Sequence, residues 1–582
     1  MATAKFGRFT GSTFDFYKTH KNWGRDWHHI VQIHAPGSDG FWLLLYNRLD
    51  GVIKVIAVDP NGSVSEVRTT TGVHTGWDLM ASHAYLSTAV MGPKTGVFCY
   101  DRTEGEAQFL TVDENGAVGK LKTLTGWRKT WDVAVAGDWG LGSGYADLLL
   151  YDRWNGEAKF FSSDGDGGIK EIRHHTGLAR DWDIIVPGDF VLGYGYHELL
   201  FYRRVRADAK FFHVDDAGGL QELSRTKLHP YLDLIVPGKF TTEDGSDLFC
   251  FSRAKGRASL LHVSPETKVT EVWQDSGWRR TWWRAEAGWF QPGGDTPTDE
   301  LLLYDNAVRL RLQVFRVTDD DGTRAPVMTA DDMVTWVRKA NEVYASAGVV
   351  IEYDKDTDFT DLASSAINQM HKDQDDARKE RTQAAAQAYA EDFPDRVVVF
   401  VTFGPFTAEQ EGGFSSGDAA YICISSWNVS DTTWYYIDGS TWSGPASYFF
   451  AHELGHYLGL HHPFRSPDYN KYPGDPKAAV EALIAKVAEP TLRDLDGDKA
   501  HVRDTPPDVG ARYYTDQGLN PADPSEMVEV TGADGTVLRF SPDRHNIMNY
   551  LRCDEFCDIT ADQARRVREH LRSDARKSLV DG

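Results

Sequence analysis

Short apolar runs separated by Gly/Asp turns fill the first half of the chain, whereas longer strand-like and helix-like stretches alternate in the second. The first-half pattern repeats, and a repeat of this kind decides the architecture. Trp131-Asp132-Val-Ala-Val-Ala-Gly137-Asp138-Trp139 is matched by Trp182-Asp183-Ile-Ile-Val-Pro-Gly188-Asp189-Phe190. Each copy leads into an apolar run that ends on a tyrosine, Leu148 to Tyr151 and Leu199 to Tyr202. Ala-Lys-Phe-Phe then follows at the same offset, Ala158 to Phe161 and Ala209 to Phe212. The aromatic anchor recurs at Tyr46, Tyr100, Tyr151, Tyr202, Phe251 and Tyr304, a period of about 50 residues. Four short strands to a unit, joined by Gly/Asp turns, predict the blades of a β-propeller.

The last unit supplies only two strands, around Trp282 to Trp289 and Glu300 to Tyr304. The missing two stand at the start of the chain: Ala4-Lys5-Phe6 matches a third strand, and Phe14 to Thr19 a fourth. Six blades are therefore expected over residues 1–306, closed by the N-terminal strands, which removes free sheet edges. A misjudged final repeat would make the number seven.

After Asn306 the period changes without a Gly/Ser- or Pro-rich linker. Val308 to Val317 alternates as a strand, and Ala330 to Ala347 has helical spacing, with Thr329 as N-cap and Asp331 and Asp332 in the first turn. Val350 to Tyr353 reads as a strand, Asp373 to Ala390 as a helix and Arg396 to Thr402 as a buried strand. Ala419 to Ile424 reads as the edge strand of the sheet, and Ala446 to Leu458 as a further helix. The succession predicts an α/β domain over residues 307–582, with a twisted sheet beneath that last helix.

That helix carries the chemistry. His452-Glu453-Leu-Gly-His456-Tyr-Leu-Gly459-Leu-His461-His462 has the form HExxHxxGxxH. Residues four apart on a helix share a face, so His452 and His456 can address one metal ion. Gly459 can take positive φ and end the helix, bringing His462 back as a third ligand. Three protein nitrogens leave a position open, which marks a catalytic zinc site rather than a structural one. Glu453, beside the first ligand, is placed to act as general base on metal-bound water. His461 falls one residue short of the required spacing and is expected to be exposed or peripheral.

Composition limits what surrounds the site. A formal net charge of -24 argues against nucleic acid and against anionic membrane surfaces as partners. No apolar run is long enough for a membrane span, and the first residues lack the apolar core of a secretory signal. Five cysteines in 582 residues make no disulfide scaffold, although Cys553 and Cys557 are close enough to be considered as a pair.

The motif, followed by His545-Asn546-Ile547-Met548-Asn549-Tyr550, resembles the metzincins with their methionine turn. Within them, the chain resembles the pappalysin (cytophagalysin) family over about residues 308–575. The stretches that carry the likeness are His452 to Phe464, Val502-Arg-Asp504-Thr505-Pro506, Asn546 to Tyr550, the Thr560-x-x-Gln563 helix and Ala340 to Gly348. The resemblance implies a zinc endopeptidase acting on protein or peptide substrates. Zinc would be held by His452, His456 and His462, Glu453 would be the general base, and Met548 the apolar floor. Tyr550 would either stabilise the oxyanion or pack. Asp494, Asp496 and Asp498 form an acidic run that resembles a calcium loop or serves as solvated turn acids. The span between His462 and Met548, where relatives place disulfide partners, contains no cysteine.

The propeller's task stays open at this level. Its Trp and Tyr-Asp-Arg elements are similar to those of bacterial propeller lectins, which bind sugars, yet the same residues also serve to pack blade on blade. Asp138 and Asp189 faintly resemble calcium-loop repeats. Three expectations stand: a zinc endopeptidase whose propeller docks on a substrate or surface, a glycan- or protein-binding propeller with an inactive metal domain, and a secreted effector that cleaves a host protein. An extracellular location is expected ahead of a cytoplasmic one.

Overall fold

A computed structural model describes residues 2–581 apart from 25, 37–40, 60, 84–94, 142–145, 154, 192–197, 205, 242–245, 289, 291–297, 371–375, 404–412, 416–418, 426–434, 438–439, 443–446, 464–477, 479–481, 483–504, 506–527, 532–536, 541–544 and 550–556. The chain divides into two compact units, Met1–Ala307 and Val308–Gly582.

The first unit consists of six four-stranded antiparallel sheets. Their inner strands, His29–His34, Leu79–His83, Val133–Gly137, Ile184–Gly188, Leu234–Gly238 and Trp282–Gly288, neighbour one another in that order, and the last returns to the first. The unit is a closed six-bladed β-propeller. Five blades are continuous in sequence. The sixth is composite: Thr3–Phe9 pairs with Glu300–Asp305 and Phe14–Lys21 pairs with Thr3–Phe9. Ala4 lies opposite Tyr304 and Phe6 opposite Leu302, so the closing strand buries its apolar residues against the second strand of the last unit.

Second strands such as Asp147–Asp152 and Glu198–Tyr202 are buried along their whole length, because blades cover both faces. This is why they read as unbroken apolar runs rather than as alternation. Tyr46, Tyr100, Tyr151, Tyr202 and Tyr304 are fully buried, and each phenol donates to a carbonyl in the connection that leads into the next blade. The acceptors are His74, Arg128, Ala179, His229 and Gly24. The anchors therefore fasten one blade to the following connection. A buried acid opens the second strand in three consecutive blades. Asp147 accepts from the amides of Trp139 and Leu141, Glu198 from Phe190 and Val191, and Asp247 from Phe240 and Thr241. These bonds hold the segment that follows each inner strand, from its aromatic residue, Trp139, Phe190 or Phe240, onward.

The second unit, numbered separately, is built on a six-stranded sheet. Its strands are β1 (Val308–Thr318), β2 (Val349–Glu352), β3 (Phe359–Ala363), β4 (Arg396–Thr402), β5 (Gly413–Phe414) and β6 (Tyr421–Ser425). The order is β2-β1-β4-β6-β5, with β3 pairing the far end of β1. All pairs are parallel except β5 with β6. The expected edge position of Ala419 to Ile424 is corrected here: β6 is interior, and the edge is β5. Two residues are too few to leave an alternating signature, so sequence reasoning passed over β5.

One face of the sheet packs on helices α1 (Ala330–Val343) and α4 (Ser447–Tyr457); the other packs on α2 (Ser365–Asn368) and α3 (Asp376–Glu391). Val397, Val399 and Val401 point to the first core, Val398 and Phe400 to the second. Thr329 and Asp332 form a capping box at the start of α1, which buries Met333, Trp336, Val337, Ala340 and Val343 along one stripe. A 3-10 turn, Tyr344–Ala347, continues it and stops at Gly348, φ 64°. A last long helix, α5, covers Ala561–His570. Among the described residues no helix is long and apolar enough to cross a membrane.

Candidate metal centre

The end of α4 explains how the three histidines meet. Gly459 adopts φ 84°. The Leu460 amide bonds the Gly455 carbonyl at 2.8 Å, and the Gly459 amide bonds the His456 carbonyl at 3.0 Å. This pair of bonds is the Schellman stop, and only a left-handed residue at position 459 permits it. The chain then reverses. The Leu460 carbonyl comes to 2.8 Å from His456 Nδ1, and His462 Nε2 comes to 3.2 Å from His452 Nε2 and 3.0 Å from His456 Nε2.

The tautomers follow from what lies behind each ring. His452 Nδ1 is 2.7 Å from the Ile547 carbonyl. Carbonyl oxygens only accept, so Nδ1 of His452 and of His456 carries the proton, and both Nε2 atoms present lone pairs. Burial, and next the nearby His456, depress the His452 pKa to about 3, so this ring is neutral. Lone pairs that converge at 3.0–3.2 Å repel unless a cation sits among them. Ligands about 2.0–2.1 Å from a tetrahedral zinc would stand roughly 3.3 Å apart, close to what is seen. Among the described residues this is the one group of three or more side chains assembled for metal binding. The residues present fit zinc: three convergent imidazoles, two of them with a carbonyl partner behind the ring.

Glu453 follows the first ligand on α4 and is buried, 5% exposed. Met548 is fully buried; a Cβ on Gly455 would lie 2.3 Å from its sulfur and 2.7 Å from the Tyr344 hydroxyl. Gly455 is thus where α4 is pressed against the turn that carries Met548. Tyr344 donates to the Ala451 carbonyl at 2.6 Å from the other side. Tyr344 lies in the Ala340 to Gly348 stretch that carries the resemblance, but its contact with α4 had no signal in the sequence. Sequence reasoning missed Arg576, which lies 3.7 Å over the Tyr457 ring and donates to the Tyr457 carbonyl at 3.0 Å, satisfying the last turn of α4.

The turn from His545 to Asn549 is held from within and from α5. The Asn546 side chain accepts from the Met548 amide at 3.0 Å, and the Ile547 amide and Asp558 carbonyl pair at 2.9 Å. Cys557, next to Asp558, is disulfide-bonded, whereas Cys99, Cys250 and Cys423 are free and buried. Thr505, from the Val502–Pro506 stretch, meets Thr560 hydroxyl to hydroxyl at 3.0 Å. His461 is exposed and stands outside the histidine group. Tyr550, Cys553 and the acidic run Asp494, Asp496 and Asp498 lie outside the described residues.

No protein-family model matches the chain. Among solved structures it is similar to a protein from Lactobacillus plantarum, with 14% identity, a TM-score of 0.30, and coverage of 47% of this chain and 83% of that one. It is also similar to a putative 6-phosphogluconolactonase from Bacteroides fragilis NCTC 9343, at 13% identity and a TM-score of 0.31, covering 48% of this chain and 96% of that one. A third is the periplasmic gluconolactonase PpgL of Pseudomonas aeruginosa, at 11% identity and a TM-score of 0.30, covering 47% of this chain and 96% of that one. Likeness at this level attaches no activity to the chain.

Proposed function

We propose that the chain is a zinc-dependent endopeptidase of the pappalysin-like metzincin type, carried beside a propeller that docks on a substrate or surface. The convergence of the His452 and His456 Nε2 atoms to within 3.2 Å of His462 Nε2, with buried Glu453 next to His452 in the chain, carries this reading. Zinc, when bound by His452, His456 and His462, supplies Lewis acidity toward a peptide carbonyl and toward water. Glu453 accepts the proton that the attacking water loses and delivers it to the departing amine, so the peptide bond is cleaved with no net proton change at the carboxylate. Met548 and Gly455 fix the level of α4 beneath the ligands. The carbonyls of Ile547 and Leu460 hold two imidazoles in the ligand tautomer. The Cys557 disulfide supports an oxidising compartment, in keeping with secretion.

Zinc content and a proteome-wide cleavage screen, run on wild type and Glu453→Gln, test the proposal. Both proteins are expected to bind one zinc, with cleavage reduced at least about 100-fold in the variant. Zinc binding with no cleavage that the variant spares would remove the peptidase activity and leave a binding protein.

A further inference from the structure

We infer that Gln563 is a positioning residue for the metal ligand His452, acting through Asn546; the inference rests on the zinc reading above. Gln563 lies on α5, 111 residues beyond His452 in the chain, and is 2% exposed. Its side chain does two separable things. Its Oε1 accepts from the Thr560 amide at 3.0 Å, closing the capping box that starts α5. It also exchanges two hydrogen bonds with the equally buried Asn546 amide: Asn546 Nδ2 donates to Gln563 Oε1 at 2.7 Å, and Gln563 Nε2 donates to Asn546 Oδ1 at 3.2 Å.

The exchange fixes which way Asn546 faces. Its Oδ1 then receives the Met548 amide at 3.0 Å, and the peptide between them presents the Ile547 carbonyl to His452 Nδ1 at 2.7 Å. A continuous set of directed bonds thus runs from the first turn of α5 to the back of a ligand ring. Partners behind a ligating histidine set its tautomer and aim, and their loss typically weakens metal binding 10- to 100-fold.

Gln563→Glu separates the two tasks. Glutamate keeps the acceptor for Thr560 and for Asn546 Nδ2, so the helix cap survives, but it sets an oxygen against Asn546 Oδ1. Asn546→Asp breaks the same exchange from the other side, and serves if the first variant does not fold. Full-length proteins would be stripped of metal, titrated with zinc against a chelating competitor, and loaded with cobalt(II) for its visible spectrum. Expected is a zinc dissociation constant raised about 10-fold or more and an altered cobalt band, with the metal-free melting temperature close to wild type. Unchanged zinc affinity and cobalt spectrum in a folded variant would overturn the positioning role and leave Gln563 a helix cap. A wild-type chain that binds no zinc would overturn the zinc reading itself.

Discussion

Gly455 and Gly459 belong to one motif but answer to different constraints. Gly455 is required by space, with Met548 and Tyr344 on top of it; Gly459 is required by its backbone, at φ 84°. Alanine at 459 would meet His570 at 2.7 Å and bear the left-handed penalty of about 1–2 kcal/mol. Gly459→Ala is therefore expected to lower both the melting temperature of the second unit and its zinc affinity, because the Leu460 carbonyl that holds His456 depends on this stop. Zinc titration that matched wild type would separate the stop from the ligand geometry. His452 adds a pH dependence. Its buried ring stays neutral down to about pH 3, whereas the unfolded chain takes up a proton below about 6.5. Stability from this group is complete above 6.5 and lost as pH falls toward 3. Melting of the metal-free protein across that window should show the loss. The convergence of His452, His456 and His462 could be anticipated from spacing and resemblance. Tyr344, Arg576 and the Gln563–Asn546 exchange could not be derived from spacing, because each acts through a contact between residues far apart in sequence.

At the level of the element, the blades show why the repeat was legible and its purpose was not. Period and alternation gave four strands to a unit, since blade-on-blade burial imposes the same pattern six times. The phenol bonds that make the aromatic anchors necessary carry no periodic mark of their own. Tyr202→Phe removes the bond to the His229 carbonyl at 2.6 Å and the acceptor for the Leu232 amide at 3.2 Å. A loss of about 1–3 kcal/mol in propeller stability is expected, measured by denaturant unfolding. Glu198 gives a second test. Burial raises its carboxyl to about 7, against an ordinary 4.5. The folded blade keeps a proton that the unfolded chain releases between those values. Its contribution is therefore full below 4.5 and lost as pH rises to about 7. Glu198→Gln, which keeps an acceptor for Phe190 and Val191, should melt above wild type at pH 8 and level with it below pH 4.5. A pH-independent difference would show that the carboxyl does not titrate in this way.

For the whole molecule, the division between Ala307 and Val308 separates two kinds of stability. Repetition and ring closure support the first unit, and zinc, on the reading proposed, would add to the second. A metal that binds only the folded second unit stabilises that unit by mass action. Scanning calorimetry of the full chain with and without a zinc chelator should move one transition and leave the other in place. Loss of residues 1–21 should do the reverse. It strips two strands from the sixth blade and exposes the edge of Glu300–Asp305, with aggregation expected in size-exclusion chromatography.

The composite sixth blade also sets a schedule for synthesis. Thr3–Phe9 leaves the ribosome almost 300 residues before Glu300–Asp305, its pairing partner, has been made. At about 5–20 residues per second, that strand waits roughly 15–60 s with its pairing edge unfilled. When Asp305 emerges, His452 is still about 150 residues from being made. The ring can therefore shut before any of the three converging histidines exists, so the order of translation keeps this long-range pairing apart from assembly of the histidine group.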